Sequence, residues 1–493
     1  MRKITIIAVS CLFLCMLLSA CFSPYAGDTG TITISVGGSG RVAWNGLETD
    51  GFTHIITLTN GPGPDQSKTI EPGAGNRTAS FTVAPGMWTI TVKGILDGKV
   101  VSVASERKNI TAGANGAITI KMGSTAFTVS TPTEWQTATS SISSGVSNIS
   151  YLINIAAGTT VTIPGVSAAT FGSVSGIDVT ISGGGTLQLD ATNGSLLYIG
   201  AGQSVTLQNV SLQGRTDNNA SLVYVNGTSA KFFMESGTIS GNKAVNGGGV
   251  YVASGTFNMS SGEIFGNEAT NMGGGVVIYG SGSTFNMNGG KIFGNEATNM
   301  GGGVYVINGK FTMSGNAVIG GTTMDSANTA NNGGGVCVNT SGTFIMESGT
   351  ISGNTSSNVG GGVYVNAGAF NMNGGEISGN KAPNSGGGGV YVTGNATFTM
   401  SGGKTSGNTA NTYGGGVYVN GGSFRLITGI IVGNSLYTGV TPNLAANTAP
   451  NGAALYLGTG TATYYTDISG WNSFATTMND TIHVENGNKI GAW

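Results

Sequence analysis

Few side chains in this sequence can do chemistry, so their placement matters. Charged residues make up 8% of the 493 residues, and the histidines are His54 and His483 alone. Between Lys231 and Arg425 the chain repeats itself, and there seven Lys/Arg balance seven Asp/Glu. Glu268 and Glu296 hold equivalent places in consecutive repeats. Two carboxylates stacked about 5 Å apart can hold a cation or imitate the acid pair of a retaining glycosidase; on a wet surface they are two screened glutamates. Glu263 with Lys291, and Glu376 with Lys404, also fall one repeat apart and are expected to form exposed ion pairs of at most about 1 kcal/mol each. Asp325 is the one aspartate of this stretch, and both histidines lie outside it. No catalytic set, metal set or cofactor is assigned on these residues.

Aromatic residues are the other candidates. Tyr224, Tyr251, Tyr305, Tyr364, Tyr391 and Tyr418 occupy one repeat position, interrupted by Val277 and Cys337. Strand alternation puts them on the side opposite the flanking valines, so an outward column is expected. Such an array suits sugar faces or a protein partner, or it braces the sheet through cross-strand contacts. Phe265 and Phe293 form a shorter outward pair with the same two readings. Cys337, standing in the tyrosine column, reads as a small substitute for the ring.

The elements that position these residues follow from the period. A valine follows each glycine run at positions 250, 276, 304, 336, 363, 390 and 417. Each repeat holds Val-Tyr-Val, then Phe-x-Met, then an Ile, and each set turns its apolar residues to one side. Three short strands per repeat with glycine corners describe a coil of a parallel β-helix, about ten coils and a rod on the order of 50 Å long. Phe232, Phe257, Phe285, Phe311, Phe344, Phe370, Phe398 and Phe424 form one column, and Met234 through Met400 with Leu426 another. The third runs through Ile239, Ile264, Ile292, Val318, Ile351, Ile377 and Ile431, broken by Thr405. An asparagine column is expected at Asn242, Asn267, Asn295, Asn354, Asn380, Asn408 and Asn434, with Gly321 as its exception; stacked amides bond along the axis. Insertions at residues 322–332 and 435–451 are natural places for binding. The glycine runs carry no following Lys-Ser/Thr, so they are corners and not a phosphate loop.

The repeats occupy part of the chain. Arg2-Lys3 precede an apolar run from Ile4 to Leu18, the layout of an export signal over residues 1–20. Residues 21–29 read as a tether. Period-two strands from residue 30 to 123, separated by Pro85-Gly86 and Asp97-Gly98, predict a small β-sandwich. Residues 124–176 read as an N-terminal cap with a helix near 132–143: Thr131 as N-cap, Pro132 first, Glu134 completing a capping box, and Trp135, Ala138 and Ile142 on one face. Residues 177–457 are assigned to the helical rod and 458–493 to a C-terminal cap. Once the signal is removed, Cys21 and Cys337 are the cysteines left, so packing must stabilise the chain without a disulfide framework. No basic face points to nucleic acid.

Three resemblances add to this reading. Leu18-Ser19-Ala20-Cys21 resembles the lipobox of bacterial lipoproteins, which implies lipid attachment at Cys21 and an exported, membrane-anchored protein of the outer membrane or cell surface. Ser80 to Val92 is similar to carboxypeptidase-regulatory or transthyretin-like sandwiches, which implies a spacer. The Gly-Gly-Gly-Val and Phe-x-Met-x-x-Gly-x-Ile-x-Gly-Asn coils resemble right-handed β-helix surface proteins and, more loosely, polymorphic outer-membrane protein repeats. This implies right-handed, single-stranded coiling, surface display and an adhesin-like role toward a host or cell-surface glycan or protein. Pectate lyases and polygalacturonases share the type of fold, so a polysaccharide lyase or glycoside hydrolase is the competing expectation.

Overall fold

The computed structural model describes residues 30–36, 53–71, 78–96, 99–115, 118–120, 123–145, 147, 149–321, 326–432, 445–464, 482–484 and 490–492. Residues 1–29, with Cys21, and Asn434 lie outside the described residues, as does most of the expected C-terminal cap. The chain divides into two compact units, Met1–Ala126 and Phe127–Trp493.

In the first unit β1 (Gly30–Val36) pairs antiparallel with β4 (Thr78–Val83) and parallel with β7 (Gly113–Ala114) and β8 (Ile118–Ile120). A second sheet runs β3 (Gln66–Ile70), β2 (Thr53–Thr59), β5 (Gly86–Leu96), β6 (Lys99–Ile110), β9 (Gly123–Ser124), antiparallel throughout. Alternate residues of both sheets meet in one apolar core that includes Ile32, Ile34, Ile56, Leu58, Phe81, Trp88, Ile90 and Val92. The expected sandwich is therefore present. Strand β3 escapes a sequence reading because Gln66-Ser67-Lys68-Thr69-Ile70 has one apolar residue; backbone pairing to β2 holds this edge strand.

The strand Ala126–Val129 runs across the boundary into the second unit, where helix α1 (Pro132–Ser143) follows. Thr131 Oγ1 accepts from the Glu134 N–H at 3.3 Å, and Glu134 Oε2 accepts from the Thr131 N–H at 3.0 Å. Trp135, Ala138 and Ile142 are buried, as the helix period requires. Beyond α1 the chain winds a right-handed parallel β-solenoid of roughly 11 turns.

Stacking starts before the visible repeats. Ser150–Ile155 pairs in register with Ile177–Ser182, and Thr160–Ile163 with Thr186–Leu189, so the apolar columns begin with Tyr151, Ile153 and Val161. These coils carry Val, Leu and Ile where later ones carry Phe and Met, which hides them from a search for repeats. The phenylalanine column is buried throughout, with ring centroids 4.5 Å apart and planes at 3° for Phe257 and Phe285. The third column contains Ile319, which pairs with Ile292 and Ile351, and not Val318. That one-residue correction matters because a slip of one turns every side chain to the other face.

A fourth side of the coil was not anticipated. Short strands from Lys243–Asn246 to Thr409–Ala410 form a seven-stranded sheet of their own, with Ala244, Ala269, Ala297, Ala330, Ser356, Ala382 and Ala410 inward. Alanines and two-residue strands leave little hydrophobic signal to read.

The triple glycines have two separate causes. The glycine three residues before each valine, such as Gly360 at φ +67°, sits in the left-handed region. The next two have ordinary backbone angles, but a Cβ on Gly361 would lie 2.6 Å from the carbonyl oxygen of Gly388 on the next coil.

Candidate ligand-binding face

The amide column is continuous and longer than the repeat spacing indicates. Asn218, Asn242, Asn267, Asn295, Asn328, Asn354, Asn380, Asn408 and Asn447 are all buried in one corner. Asn380 shows the logic. Its Oδ1 accepts from the Asn354 N–H at 3.0 Å and Nδ2 at 2.9 Å, while its own Nδ2 donates to Ile351 O and Asn408 Oδ1, both at 2.9 Å. Each amide thus pairs backbone groups that the turn would otherwise orphan. Asn328 takes the place where Gly321 was expected to interrupt the column, and Asn447 takes the place expected for Asn434. Both lie inside the stretches expected as insertions, so residues 326–332 and 445–451 belong to the coils, while 322–325 and 433–444 lie outside the described residues.

The tyrosine column departs from expectation. Its side chains do point away from the coil interior, yet Tyr305, Tyr364, Tyr391 and Tyr418 are buried. They form a second apolar cluster with Val277, Cys337, Val359 and Tyr456, against which Met272, Met300 and Tyr413 pack. Met272, Met300, Val359 and Tyr413 each directly precede a glycine run, and so lie over the column from the adjoining corner. Where Gly386 stands instead, a Cβ would come within 2.4 Å of Tyr418 Cδ1, so the ring itself fills the place. An apolar residue before four of the glycine runs was the available sequence signal. Only the amino-terminal end of the column stays partly open: Tyr224 and Tyr251 are half-buried, and the residue before Gly247 is the polar Asn246.

Burial sets the electrostatics of this column. The Tyr305 and Tyr364 phenols are each pushed up to about 12, mainly by desolvation, with an Asn339 hydrogen bond opposing the shift at Tyr305. Tyr251 and Tyr224 are raised for the same reason, with neighbouring phenols adding to it. The Cys337 thiol is fully buried and held far above its ordinary range, which makes it inert and agrees with its reading as a small substitute.

The tyrosine run does not end at Tyr251. Tyr198 and Tyr224 rings are 4.9 Å apart, Tyr224 and Tyr251 5.4 Å, and Tyr251 and Tyr279 5.9 Å. Val277 is too small to fill the column, and Tyr279, two residues on and on the same side, stacks there instead. Tyr198 was missed because its coil lacks the glycine run, although it is in register with Tyr224, and Tyr279 because it stands two residues past the repeat position.

On the next face Phe265 and Phe293 stack at 5.1 Å and 7°, both half-buried. Glu268 and Glu296 are register partners, as expected, but Lys243 Nζ lies 2.5 Å from Glu268 Oε1 and neutralises one of them. Lys291 Nζ and Glu263 Oε1 are 4.0 Å apart, and Glu376 neighbours Lys404 in register. Among the described residues no three His, Cys, Asp or Glu side chains converge as metal ligands would. The chain was compared with known families, curated proteins and solved structures: no family model matches it, and neither does any curated protein or solved structure.

Proposed function

We propose that this protein is a noncatalytic surface lipoprotein, anchored through Cys21, whose solenoid presents a repetitive face for adhesion or for carbohydrate or protein binding. The observation that carries the reading is how the outward side chains are used. They bond to their own equivalents one rung away: Thr284 to Thr256 at 3.0 Å, Asn286 to Asn258 at 2.9 Å, Asn299 to Asn271 at 2.8 Å and Asn358 to Asn332 at 3.0 Å. Side chains locked in this way make a flat, neutral, preorganised surface that repeats every rung and suits multivalent attachment. Full-length protein applied to cells and glycan arrays should attach, and a Cys21→Ser variant should leave the membrane fraction.

The competing reading, a polysaccharide lyase or hydrolase of the pectate-lyase-like type, draws on the register pairing of Glu268 with Glu296. Incubation with acidic and neutral polysaccharides tests it directly. Product formation that disappears in Glu268→Gln or Glu296→Gln would overturn the noncatalytic reading.

A further inference from the structure

We infer that the amino-terminal end of the tyrosine column, from Tyr198 to Tyr279, is a binding site for a neutral polysaccharide. The inference rests on the binding function proposed above and narrows it to one place and one ligand chemistry. Along the rest of the column the chain supplies its own cover in Met272, Met300, Val359 and Tyr413. Four consecutive rings at the other end are more open: Tyr198, Tyr224 and Tyr251 are half-buried, Tyr251 where it packs against the same cluster, and Tyr279 is 49% exposed. Tyr279 is also one of three exposed large hydrophobic residues among the described residues, with Met87 and Val245.

The geometry of the run specifies what it offers. Tyr224, Tyr251 and Tyr279 stack on one another and so turn their faces to each other and their edges and hydroxyls outward, while Tyr198 is tilted by 56° to Tyr224. Tyr279 stacks on Tyr251 and remains 49% exposed, so part of its ring is left to take the apolar face of a pyranose. Phenolic oxygens follow at one-rung intervals along the axis, and Asn226 already donates to Tyr198 Oη at 2.9 Å, showing that these oxygens accept in place.

Charge then selects the ligand. The outward neighbours closest along the chain to these rings are Asn226, Thr228, Ala253, Ser254 and Ser281, all uncharged; the exposed Lys231 stands farther along the strand that carries Tyr224. The nearest cation along the chain before Asn246, Lys243, is held by Glu268. An anionic or cationic polymer would lose hydration against the rings and gain no counter-charge from these nearest neighbours, whereas a neutral glycan gains stacking and hydroxyl contacts without that cost.

Full-length protein run through gels containing a neutral glucan, mannan or galactan, or an anionic polygalacturonate, reads this out as retardation. Tyr279→Ala should weaken retardation by the neutral glycan about ten-fold, Tyr279→Trp should keep it, and Met87→Ser, at an exposed apolar residue of the first unit, should leave it unchanged. Tyr279 is exposed, so its removal leaves the core columns intact, and far-ultraviolet circular dichroism checks this. Neutral-glycan retardation unchanged in Tyr279→Ala would overturn the site while leaving the adhesive function standing. Retardation by polygalacturonate alone would overturn the ligand class. Attachment to neither glycans nor cells would overturn both this inference and the function on which it rests.

Discussion

Thr405 is where the rod departs from its own rule, and replacing it should stabilise the protein. It stands in the isoleucine column between Ile377 and Ile431, fully buried, and its Oγ1 has no hydrogen-bond partner. Its Cγ2 lies where the isoleucine Cγ2 atoms lie, 3.1 Å from a Cβ placed on Gly389, against 3.1 Å for Ile377 and Gly362. Thr405→Val therefore swaps the orphaned hydroxyl for a methyl group of the same shape. Removing an unsatisfied buried hydroxyl is worth about 1–3 kcal/mol, and Thr405→Ile adds up to about 0.8 kcal/mol for one more buried methylene if the column accepts it. Urea unfolding monitored by circular dichroism, with hydrogen exchange at Asn408 and Gly389 as the local readout, measures the gain. A Thr405→Val protein no more stable than the parent would refute the reasoning, because it would mean that the hydroxyl is satisfied or that the coil is looser than the column implies.

Ser356, in the alanine column with an unpaired buried Oγ, should behave alike, so Ser356→Ala should be neutral or stabilising in the same urea assay. Asn380→Ala removes four hydrogen bonds of the ladder and should cost about 2–5 kcal/mol, seen as a lower urea midpoint and faster exchange at Asn354. Glycine substitutions should rank by cause. Gly379→Ala meets nothing closer than 3.9 Å and pays for its φ of +66° alone, about 1–2 kcal/mol, whereas Gly361→Ala drives a Cβ to 2.5 Å from Lys381 O and should fail to fold solubly. The raised phenols of Tyr305 and Tyr364 bind their protons more tightly folded than unfolded. Their contribution is complete below pH about 10 and is lost as pH rises through about 12, so phenolate absorbance and loss of structure should climb together across that window.

Much of this architecture is legible in the residues. The Phe and Met columns, the Thr131-Pro132-Glu134 helix start and the register pairs Glu263–Lys291 and Glu268–Glu296 all follow from period and local chemistry, because neighbours in a solenoid are set by spacing along the chain. The unread parts share a physical reason. The stretches at Tyr151 and Val161 read as strands leading into the repeats but not as coils, because they use different apolar residues for the same places, and the alanine side is too short and too small to leave a hydrophobic period.

By itself, then, the amino-acid sequence determined which side of the repeat strands faces the coil interior, except at Val318–Gly320, since alternation is a property of the backbone. Tertiary structure decided three things. Hydrogen-bond demand at a buried corner chose Asn328 and Asn447 as ladder residues, across insertions that spacing cannot bridge. Core packing chose Ile319 over Val318. What lies over an outward face depends on residues of a different corner, so Met272, Met300, Val359 and Tyr413 buried most of the tyrosine column and left its amino-terminal rings open.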